Sequence, residues 1–200
     1  MDKQALFNIS YGLYVLSSSY EGKNTGCIIN TVNQVADNAL KLAIAVSKKN
    51  YTESIIQKAK MFNLSILSES APFSIFQNFG FQSGRDIDKF KHISYLKDIN
   101  NMPYLSRYVN TTVSCEIDTT INLSSHTLFL ANIVDAKILS DEKSMTYSYY
   151  HKYVKPKPQT KNKGWVCKIC GYVYEGEELP KDFVCPICKH GATDFEKIPN

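Results

Sequence analysis

The sequence lacks the features that mark membrane, secreted and nucleic-acid-binding proteins. None of its apolar runs approaches the roughly 20 residues that a membrane-spanning helix needs. The first residues contain no apolar stretch of signal-peptide length. The net charge of +4 on 200 residues is too small to indicate nucleic-acid binding. We therefore expect a cytoplasmic chain that binds neither a membrane nor a nucleic acid.

Common catalytic and nucleotide-binding motifs are also missing. There is no Walker phosphate-binding loop and no G-x-G-x-x-G pattern. Histidine is scarce, and none of the four has metal-ligand spacing with another; they are His92, His126, His151 and His190. The residues alone therefore name no catalytic group.

Four of the six cysteines form two closely spaced pairs. Cys167 pairs with Cys170 and Cys185 with Cys188, so that fourteen residues separate two C-x2-C motifs. In a reducing cytosol such pairs indicate metal ligands rather than disulfides. Four thiolates can hold a structural zinc or a redox-active iron, and the spacing alone does not choose between them.

The charge distribution divides the chain into three parts. Residues 1–151 carry fourteen basic and thirteen acidic side chains, and residues 152–163 carry five lysines and no acid. From residue 164 onward there are four lysines and six acids. Prolines and like charges keep a segment extended. We therefore expect a first domain at 1–153, a linker at 154–163 and an acidic second domain at 164–200.

Short apolar segments in the first domain predict mainly strands. The predicted strands are residues 11–17, 27–32, 40–46, 62–67, 111–123 and 127–139. Turn formers at 21–26 join the first two into a hairpin. Cys27 and Cys115 fall inside predicted strands, and we expect both to be buried structural thiols.

Two short helices are expected between the strands. The first covers residues 51–59, with Thr52 as its N-cap and Glu53 in the first turn, where the helix dipole favours an acid. Pro72 can open the second, which runs to about Phe79. Few helices among many strands predict a mainly β fold, a closed barrel with helical additions.

A loop after the second helix has the composition of a phosphate-binding segment. It contains Gly80, Ser83, Gly84 and Arg85 before a short helical stretch. Such a loop could hold a phosphate or a ribityl chain. A plain surface loop with a solvated arginine explains the composition equally well.

The surroundings of the four cysteines resemble rubredoxin. The matching residues are an aromatic after the first pair, an aromatic before the second pair, a Cys-Pro-x-Cys motif and a late phenylalanine, namely Tyr172, Phe183, Cys185–Cys188 and Phe195. The resemblance implies one iron beside a small aromatic core, held by Cys167, Cys170, Cys185 and Cys188. The sequence departs from the family at Lys189, where a glycine is usual, and in its shorter spacing between the pairs.

The first domain resembles the flavin reductase family. The match lies in residues 30–34, 45–52 and 80–90, with further similarity at 126–130 and 147–151. The resemblance implies an FMN-binding split β-barrel that forms a homodimer. It also implies that His126 lies on the nicotinamide side or in a proton relay, although the acid that often precedes this histidine is replaced by Ser125.

The same resemblance assigns cofactor-binding residues. The ring system and its polar edge would face Asn30, Thr31, Val32, Asn33 and Gln34. The phosphate would be surrounded by Ser47, Lys48, Asn50 and Thr52. Further charge and the shape of the pocket would come from Phe81, Ser83, Gly84, Arg85 and Lys89.

Together the two domains resemble the high-molecular-weight rubredoxins, in which a flavin reductase is fused to rubredoxin. The resemblance implies electron flow from NAD(P)H through FMN to iron and then to an acceptor such as a flavodiiron protein, which reduces oxygen or nitric oxide. Two alternatives stay open. The chain could be a flavin and iron carrier that another protein reduces, or a non-redox interaction protein with zinc on the four thiolates.

Overall fold

The computed structural model describes residues 1, 3–156, 163–187 and 190–198. The strands of the first domain are β1 Tyr14–Tyr20, β2 Lys23–Ile29, β3 Val32–Ala36, β4 Lys41–Ser47, β5 Met61–Leu67, β6 Tyr95–Lys97, β7 Pro103–Leu105, β8 Val109–Asn122 and β9 His126–Ile138. Three strands follow in the second domain: β10 Trp165–Cys167, β11 Val173–Tyr174 and β12 Phe195–Lys197. The helices are α1 Tyr51–Ala59, α2 Phe73–Gly80 and α3 Tyr147–Tyr149, and α3 continues into the π-helical turn Tyr150–Val154. Single 3-10 turns lie at Lys3–Asn8 and Ala192–Asp194. Across the described ranges, no helix has the length and apolar character to cross a membrane.

Seven strands form one antiparallel sheet in the order β2-β1-β5-β8-β9-β4-β3. Strands far apart in this order share one core, because Ile29 on β2, Phe62 on β5 and Ile44 on β4 belong to the same buried cluster. The sheet must therefore curl around that core. This arrangement confirms the predicted mainly β fold, a barrel with short helices.

The first hairpin turns more tightly than the sequence predicts. The predicted hairpin is confirmed, but its turn is shorter than the expected 21–26: β1 ends at Tyr20, β2 begins at Lys23, and Glu21 and Gly22 alone join them. Both turn residues have positive φ, at 50° and 78°, as two-residue hairpin turns of type I′ require. Strand β1 runs past its predicted end at residue 17. There Ser18 is fully buried, and its hydroxyl donates to the carbonyl of Met61 on β5, 2.7 Å away.

Helix α1 begins at Tyr51, and its cap is Asn50 rather than the predicted Thr52. The Asn50 side chain accepts a hydrogen bond from the Thr52 amide at 3.1 Å, which satisfies an amide at the start of the helix. Thr52 lies inside the helix, fully buried, with its hydroxyl 3.3 Å from that of Thr25. The helix ends where Lys60 adopts a left-handed conformation with φ 57°.

Helix α2 follows Pro72, as predicted, and packs on the outside of the sheet. Ile75, Phe76 and Phe79 are its buried face. They belong to a second apolar cluster together with Leu67 and Tyr150 from the rest of the first domain. This cluster fixes α2 and the segment after α3 on the same side of the molecule.

Strands β6 and β7 form a small hairpin that the sequence pattern does not reveal. Asp98, in its turn, accepts hydrogen bonds from the amides of Asn100 and Met102, both at 2.9 Å. Its second carboxylate oxygen accepts from the buried Asn63 side chain on β5 at 2.9 Å. These side-chain bonds hold the hairpin to the barrel together with the buried strand β7, whose Leu105 is 1% exposed.

The second domain is a three-stranded sheet in the order β11-β10-β12. Within the described residues it begins at Lys163, and the first domain is followed to Pro156. Most of the predicted linker, residues 157–162, lies outside the described residues.

Candidate functional site

Three of the four predicted metal ligands meet in the core of the second domain. The Sγ atoms of Cys167, Cys170 and Cys185 all lie within 4.8 Å of one another, and all three residues are buried. Cys170 and Cys185 approach to 3.5 Å between sulfurs. The fourth predicted ligand, Cys188, lies outside the described residues, as does Lys189. We call Cys167, Cys170 and Cys185 the thiol cluster.

The spacing of the thiol cluster fits a tetrahedral metal. A metal with bonds of about 2.3 Å to sulfur places its ligands about 3.8 Å apart along each tetrahedron edge. The observed separation of 3.5 Å between Cys170 and Cys185 is close to this edge. Three buried thiols at such distances therefore suit a thiolate-bound zinc or iron.

The first pair of ligands sits on a tight turn. The amide of Gly171 donates to the Cys167 carbonyl at 2.8 Å, and Gly171 has a φ of 79°. A residue with a side chain rarely adopts this conformation, so the turn requires a glycine here. The turn brings Cys167 and Cys170 to the same side of the chain.

Aromatic side chains surround the thiol cluster, as the resemblance to rubredoxin implies. Phe183 is central: its ring centroid lies 4.6 Å from that of Tyr174 and 5.4 Å from that of Phe195. Trp165 and Tyr172 pack against the same cluster. Such a shell limits solvent access to a bound metal and lowers the local dielectric constant.

The thiol cluster lies against the first domain at the end of α2. Gln77 on α2 donates its side-chain amide to the carbonyl oxygen of Ile187 at 2.5 Å. Phe81, directly after α2, packs against the apolar cluster beneath that helix and also against the shell of the thiol cluster. Phe81 was a predicted cofactor residue, and the structure places it between the two domains.

The two domains also face each other beside the first pair of ligands. His151, Lys155 and Pro156 line a groove of about 380 Å³ together with residues 166–171 and Glu196. Burial, with smaller contributions from Tyr147 and Cys170, raises the pKa of Tyr150 to about 12.

The other predicted site residues gather at the start of α1. The amide of Asn50 donates to the Ser47 carbonyl at 2.9 Å. Arg85 donates to the carbonyl of Lys49 at 3.3 Å, which brings the loop after α2 against the same turn. Ser83 supports this loop by accepting from the Arg85 amide at 3.1 Å.

Close packing fixes the loop against α1. A Cβ atom added to Gly84 would lie 2.5 Å from the Thr25 hydroxyl oxygen and 3.1 Å from the Tyr51 ring. Thr25 is fully buried, and its hydroxyl lies 3.3 Å from that of Thr52, so its side chain has little space to move away from a new Cβ atom. The approach therefore requires glycine at this position.

Two cations converge on the first residue of α1. The Arg85 guanidinium lies 5.3 Å and the Lys23 ammonium 4.8 Å from the centroid of the Tyr51 ring. Both line a surface cavity of about 630 Å³, which the carboxylates of Glu21, Asp86 and Asp88 line as well. Beside the helix N-terminus itself, Arg85 and Lys23 are the charged groups that favour an anion. Lys23 was not predicted from the sequence, because only the folded hairpin carries it to this position.

The remaining predicted residues take three different positions. Thr31 lies at the same end of the barrel as Ser47, because its carbonyl accepts a hydrogen bond from the Ala45 amide at 3.4 Å. The Thr31 hydroxyl donates to the side chain of Asn30 at 3.1 Å. Val32, Asn33 and Gln34 follow on edge strand β3, where the last two are exposed. The Lys48 ammonium is turned to the carbonyls of Leu123 and Ser124.

Lys89 points into the protein. Its ammonium donates to the carbonyls of Gly26 at 2.9 Å and Phe79 at 3.0 Å, and the residue is 3% exposed. Burial lowers the pKa of Lys89 to about 8, against a smaller opposing effect of Cys27. Its bonds tie β2 to the end of α2 beneath the loop that carries Arg85.

His126 lies beside this site. It is the residue on β9 that faces Ser47 across the β4–β9 pairing. The Ser125 hydroxyl lies 2.8 Å from its Nδ1 atom and occupies the place of the acid that is usual in the family. The side chain of His126 is exposed, which leaves it accessible to a ligand.

Comparison with known protein families divides the chain at the same place as the structure. A flavin reductase like domain model matches residues 6–157. A rubrerythrin, rubredoxin-like domain model matches residues 165–196. The two matches together account for most of the chain.

Two relatives with a known description match most of the chain. The chain is 31% identical to the high molecular weight rubredoxin of Moorella thermoacetica, over 99% of this chain and all of the relative. It is 30% identical to a ferric-chelate reductase (NAD(P)H) of Archaeoglobus fulgidus, over 80% of this chain and 95% of that protein.

A solved structure confirms the fold of the first domain. The NADH:FAD oxidoreductase of Streptomyces globisporus superimposes with a TM-score of 0.67 at 16% identity, covering 74% of this chain and 86% of that one. At this identity the likeness shows the fold alone.

Proposed function

Because the chain belongs to the flavin reductase like family and carries a rubredoxin-like domain after it, we propose that it passes electrons from NAD(P)H through FMN to a four-thiolate iron. The family matches support a flavin, an iron and flavin-based electron transfer by an oxidoreductase. The finer points, namely FMN, NAD(P)H and the order of the carriers, are the proposal.

The observation that carries the proposal is the position of the loop after α2. Its first residue, Phe81, packs on the shell of the thiol cluster. Its later residues, Gly84 and Arg85, contact the start of α1. One short segment therefore touches both proposed cofactor sites.

The electron count is consistent with this order. A hydride from NAD(P)H carries two electrons, and a flavin supplies the chemistry that accepts them together and releases them singly. A four-thiolate iron takes one electron at a time. The two electrons of one NAD(P)H would therefore pass through the iron one after the other, with the acceptor oxidising the iron between them, and NAD(P)⁺ and one proton would be the other products.

We propose that the start of α1 holds the FMN phosphate. Asn50 opens the helix there, and Arg85 and Lys23 add positive charge. Asn30 and Thr31 lie at the same end of the barrel and would face the flavin ring. Lys89 supports the pocket from beneath rather than contacting the phosphate.

We propose that Cys188 completes the iron site. The aromatic shell around Phe183 excludes water from the metal, and Cys167, Cys170 and Cys185 already have spacing that suits it. The acidic surface of this domain would bind a basic patch on an acceptor such as a flavodiiron protein, in the cytoplasm.

A homodimer is part of the proposal. Val35 on β3, Leu40 before β4 and Val134 on β9 are apolar and exposed. The Leu40 carbonyl accepts from the Ile133 amide at 2.9 Å, so these residues lie on neighbouring strands. A second copy of the barrel could cover this surface, and sedimentation would measure the resulting mass.

One visible spectrum and one mixing experiment test the proposal. We expect flavin bands together with thiolate-to-iron charge-transfer absorption, and anaerobic mixing with NADH or NADPH should bleach the flavin. A colourless protein would support the zinc alternative. Coloured protein that neither nucleotide bleaches would support a carrier that another protein reduces.

A further inference from the structure

The contact at Gln77 involves the turn that carries the second pair of cysteines. Ile187, whose carbonyl accepts the Gln77 amide, lies two residues after Cys185. Gln77 projects from α2 opposite to the buried face formed by Ile75, Phe76 and Phe79. The barrel thus binds a backbone group of the ligand turn itself.

Phe81 adds an apolar contact to this hydrogen bond. Its ring lies 5.9 Å from that of Phe73 on α2, and the residue also packs with Ile187 and Phe183 around the thiol cluster. A hydrogen bond from α2 and an apolar contact from the residue directly after it therefore hold the second domain against the barrel. We call Gln77 and Phe81 the α2 seat.

The two domains also face each other across the groove beside Cys167 and Cys170. It is lined on one side by His151 and Lys155, which follow the barrel, and on the other by the first ligand turn. The Gln77 hydrogen bond and the Phe81 contact, rather than the linker alone, therefore define the orientation of the second domain on the barrel.

The α2 seat also brings the metal close to the proposed flavin site. From Phe81 to Arg85 the chain advances four residues, so their Cα atoms are at most about 14 Å apart. Phe81 touches the shell of the thiol cluster, and Arg85 touches the turn before α1. The two cofactor sites lie at the two ends of this segment.

We propose that the rubredoxin-like domain docks on the barrel of its own chain through Gln77 and Phe81, and that this contact sets the flavin-to-iron step. The inference rests on the proposed function for its electron-transfer part. The docking itself depends only on the contacts at the α2 seat. One electron would cross per docked encounter, so a fully reduced flavin would need two crossings, between which the external acceptor oxidises the iron again.

Photo-cross-linking in the full chain tests the docking. p-Benzoylphenylalanine in place of Phe81 should cross-link to residues 183–187 on irradiation, whereas the same group in place of Tyr20 on the far hairpin should not. A mixture of ¹⁴N- and ¹⁵N-labelled chains identifies the partner. We expect linked peptides of one isotope only; mixed-isotope products, or products confined to residues 1–156, would overturn same-chain docking.

A matched pair of variants tests the effect on electron transfer. Gln77→Glu keeps the size of the side chain but replaces the amide donor by a carboxylate opposite the Ile187 carbonyl. Ser74→Glu adds the same charge on the exposed face of the same helix. We expect Gln77→Glu to slow reduction of the iron by about tenfold, since it loses one hydrogen bond and adds a repulsion. Ser74→Glu should leave that rate unchanged.

The outcomes separate this inference from the proposed function. Unchanged iron reduction in Gln77→Glu together with missing cross-links would overturn the docking, while NAD(P)H bleaching of the flavin would still stand. A flavin that NAD(P)H does not bleach would reject the proposed function, while the cross-link would still report the docked domain.

Discussion

The Sγ atoms of Cys170 and Cys185 lie 3.5 Å apart although the residues are fifteen positions apart in the chain. Two tight turns and the aromatic shell around Phe183 bring them together. The distance is close to that between two ligands on one metal, so the fold of the second domain places these thiols for metal binding.

The start of α1 provides a test of phosphate binding. Asn50→Asp keeps a good N-cap, so helix stability should be unchanged. The new carboxylate would repel a phosphate, and flavin affinity should fall by roughly tenfold. Fluorescence titration of flavin-free protein measures this. Asn38→Asp, in an exposed turn, is the control. If both variants bind flavin with equal affinity, the phosphate does not bind at the N-terminus of α1.

Gly84 tests the approach of the loop to α1. In Gly84→Ala the new Cβ would clash with the buried Thr25 hydroxyl, so the loop and Arg85 must move away. We expect weaker flavin binding in the same titration. Gly191→Ala is the control, since a Cβ there meets nothing within 4 Å. Wild-type affinity in Gly84→Ala would show that the loop does not shape the pocket.

The lowered pKa of the buried Lys89 should make the free energy of unfolding depend on pH. Its pKa is about 8 in the folded chain and 10.5 when exposed. Between these values the unfolded chain binds more protons, so unfolding free energy should rise with pH above about 8. Burial raises the pKa of Cys27 to about 11, which opposes the rise above pH 9. The informative window is therefore pH 7.5 to 9.

Chemical denaturation of Lys89→Met, followed by circular dichroism, checks this. The variant should lose the rise in that window and be about 1–3 kcal/mol less stable at pH 9, because two carbonyls lose their donor. Lys91→Met, on the exposed surface nearby, should keep the rise. An identical pH profile in wild type and Lys89→Met would contradict the assignment.

The salt dependence of the electron-delivery rate tests how the acidic domain binds its acceptor. If opposite charges steer the encounter, raising ionic strength should slow electron delivery to a flavodiiron protein. Reduction of the iron within the chain should change little, since its docking uses Gln77 and Phe81. Steady-state and stopped-flow rates at several salt concentrations measure both. A salt-independent delivery rate would exclude electrostatic steering.

Features that repeat along the chain were predictable from the sequence. Alternating apolar residues located β5, β8 and β9 within about two residues, and Pro72 located the start of α2. The cysteine spacing identified ligands that meet in space, because a C-x2-C turn is local and its geometry follows from few residues.

Features that depend on distant contacts were not predictable. Asn50 and Thr52 are both good caps, and only the burial of Thr52 against Thr25 decides between them. Nothing in the local sequence predicts that Lys89 is buried, because the carbonyls that accept its hydrogen bonds come from β2 and α2. Gln77 has no local pattern at all, since its partner is 110 residues away.

The most direct test of the electron path is two-wavelength anaerobic stopped flow on the full chain and on Cys185→Ser. In the unaltered chain, NAD(P)H should bleach the flavin first and then the iron-thiolate band, with a rate that does not depend on protein concentration. Cys185→Ser should lose the iron band and delivery to the acceptor but keep flavin bleaching. Cys115→Ser, a buried thiol on β8, is the control. Loss of flavin bleaching together with the iron in Cys185→Ser would contradict a path in series.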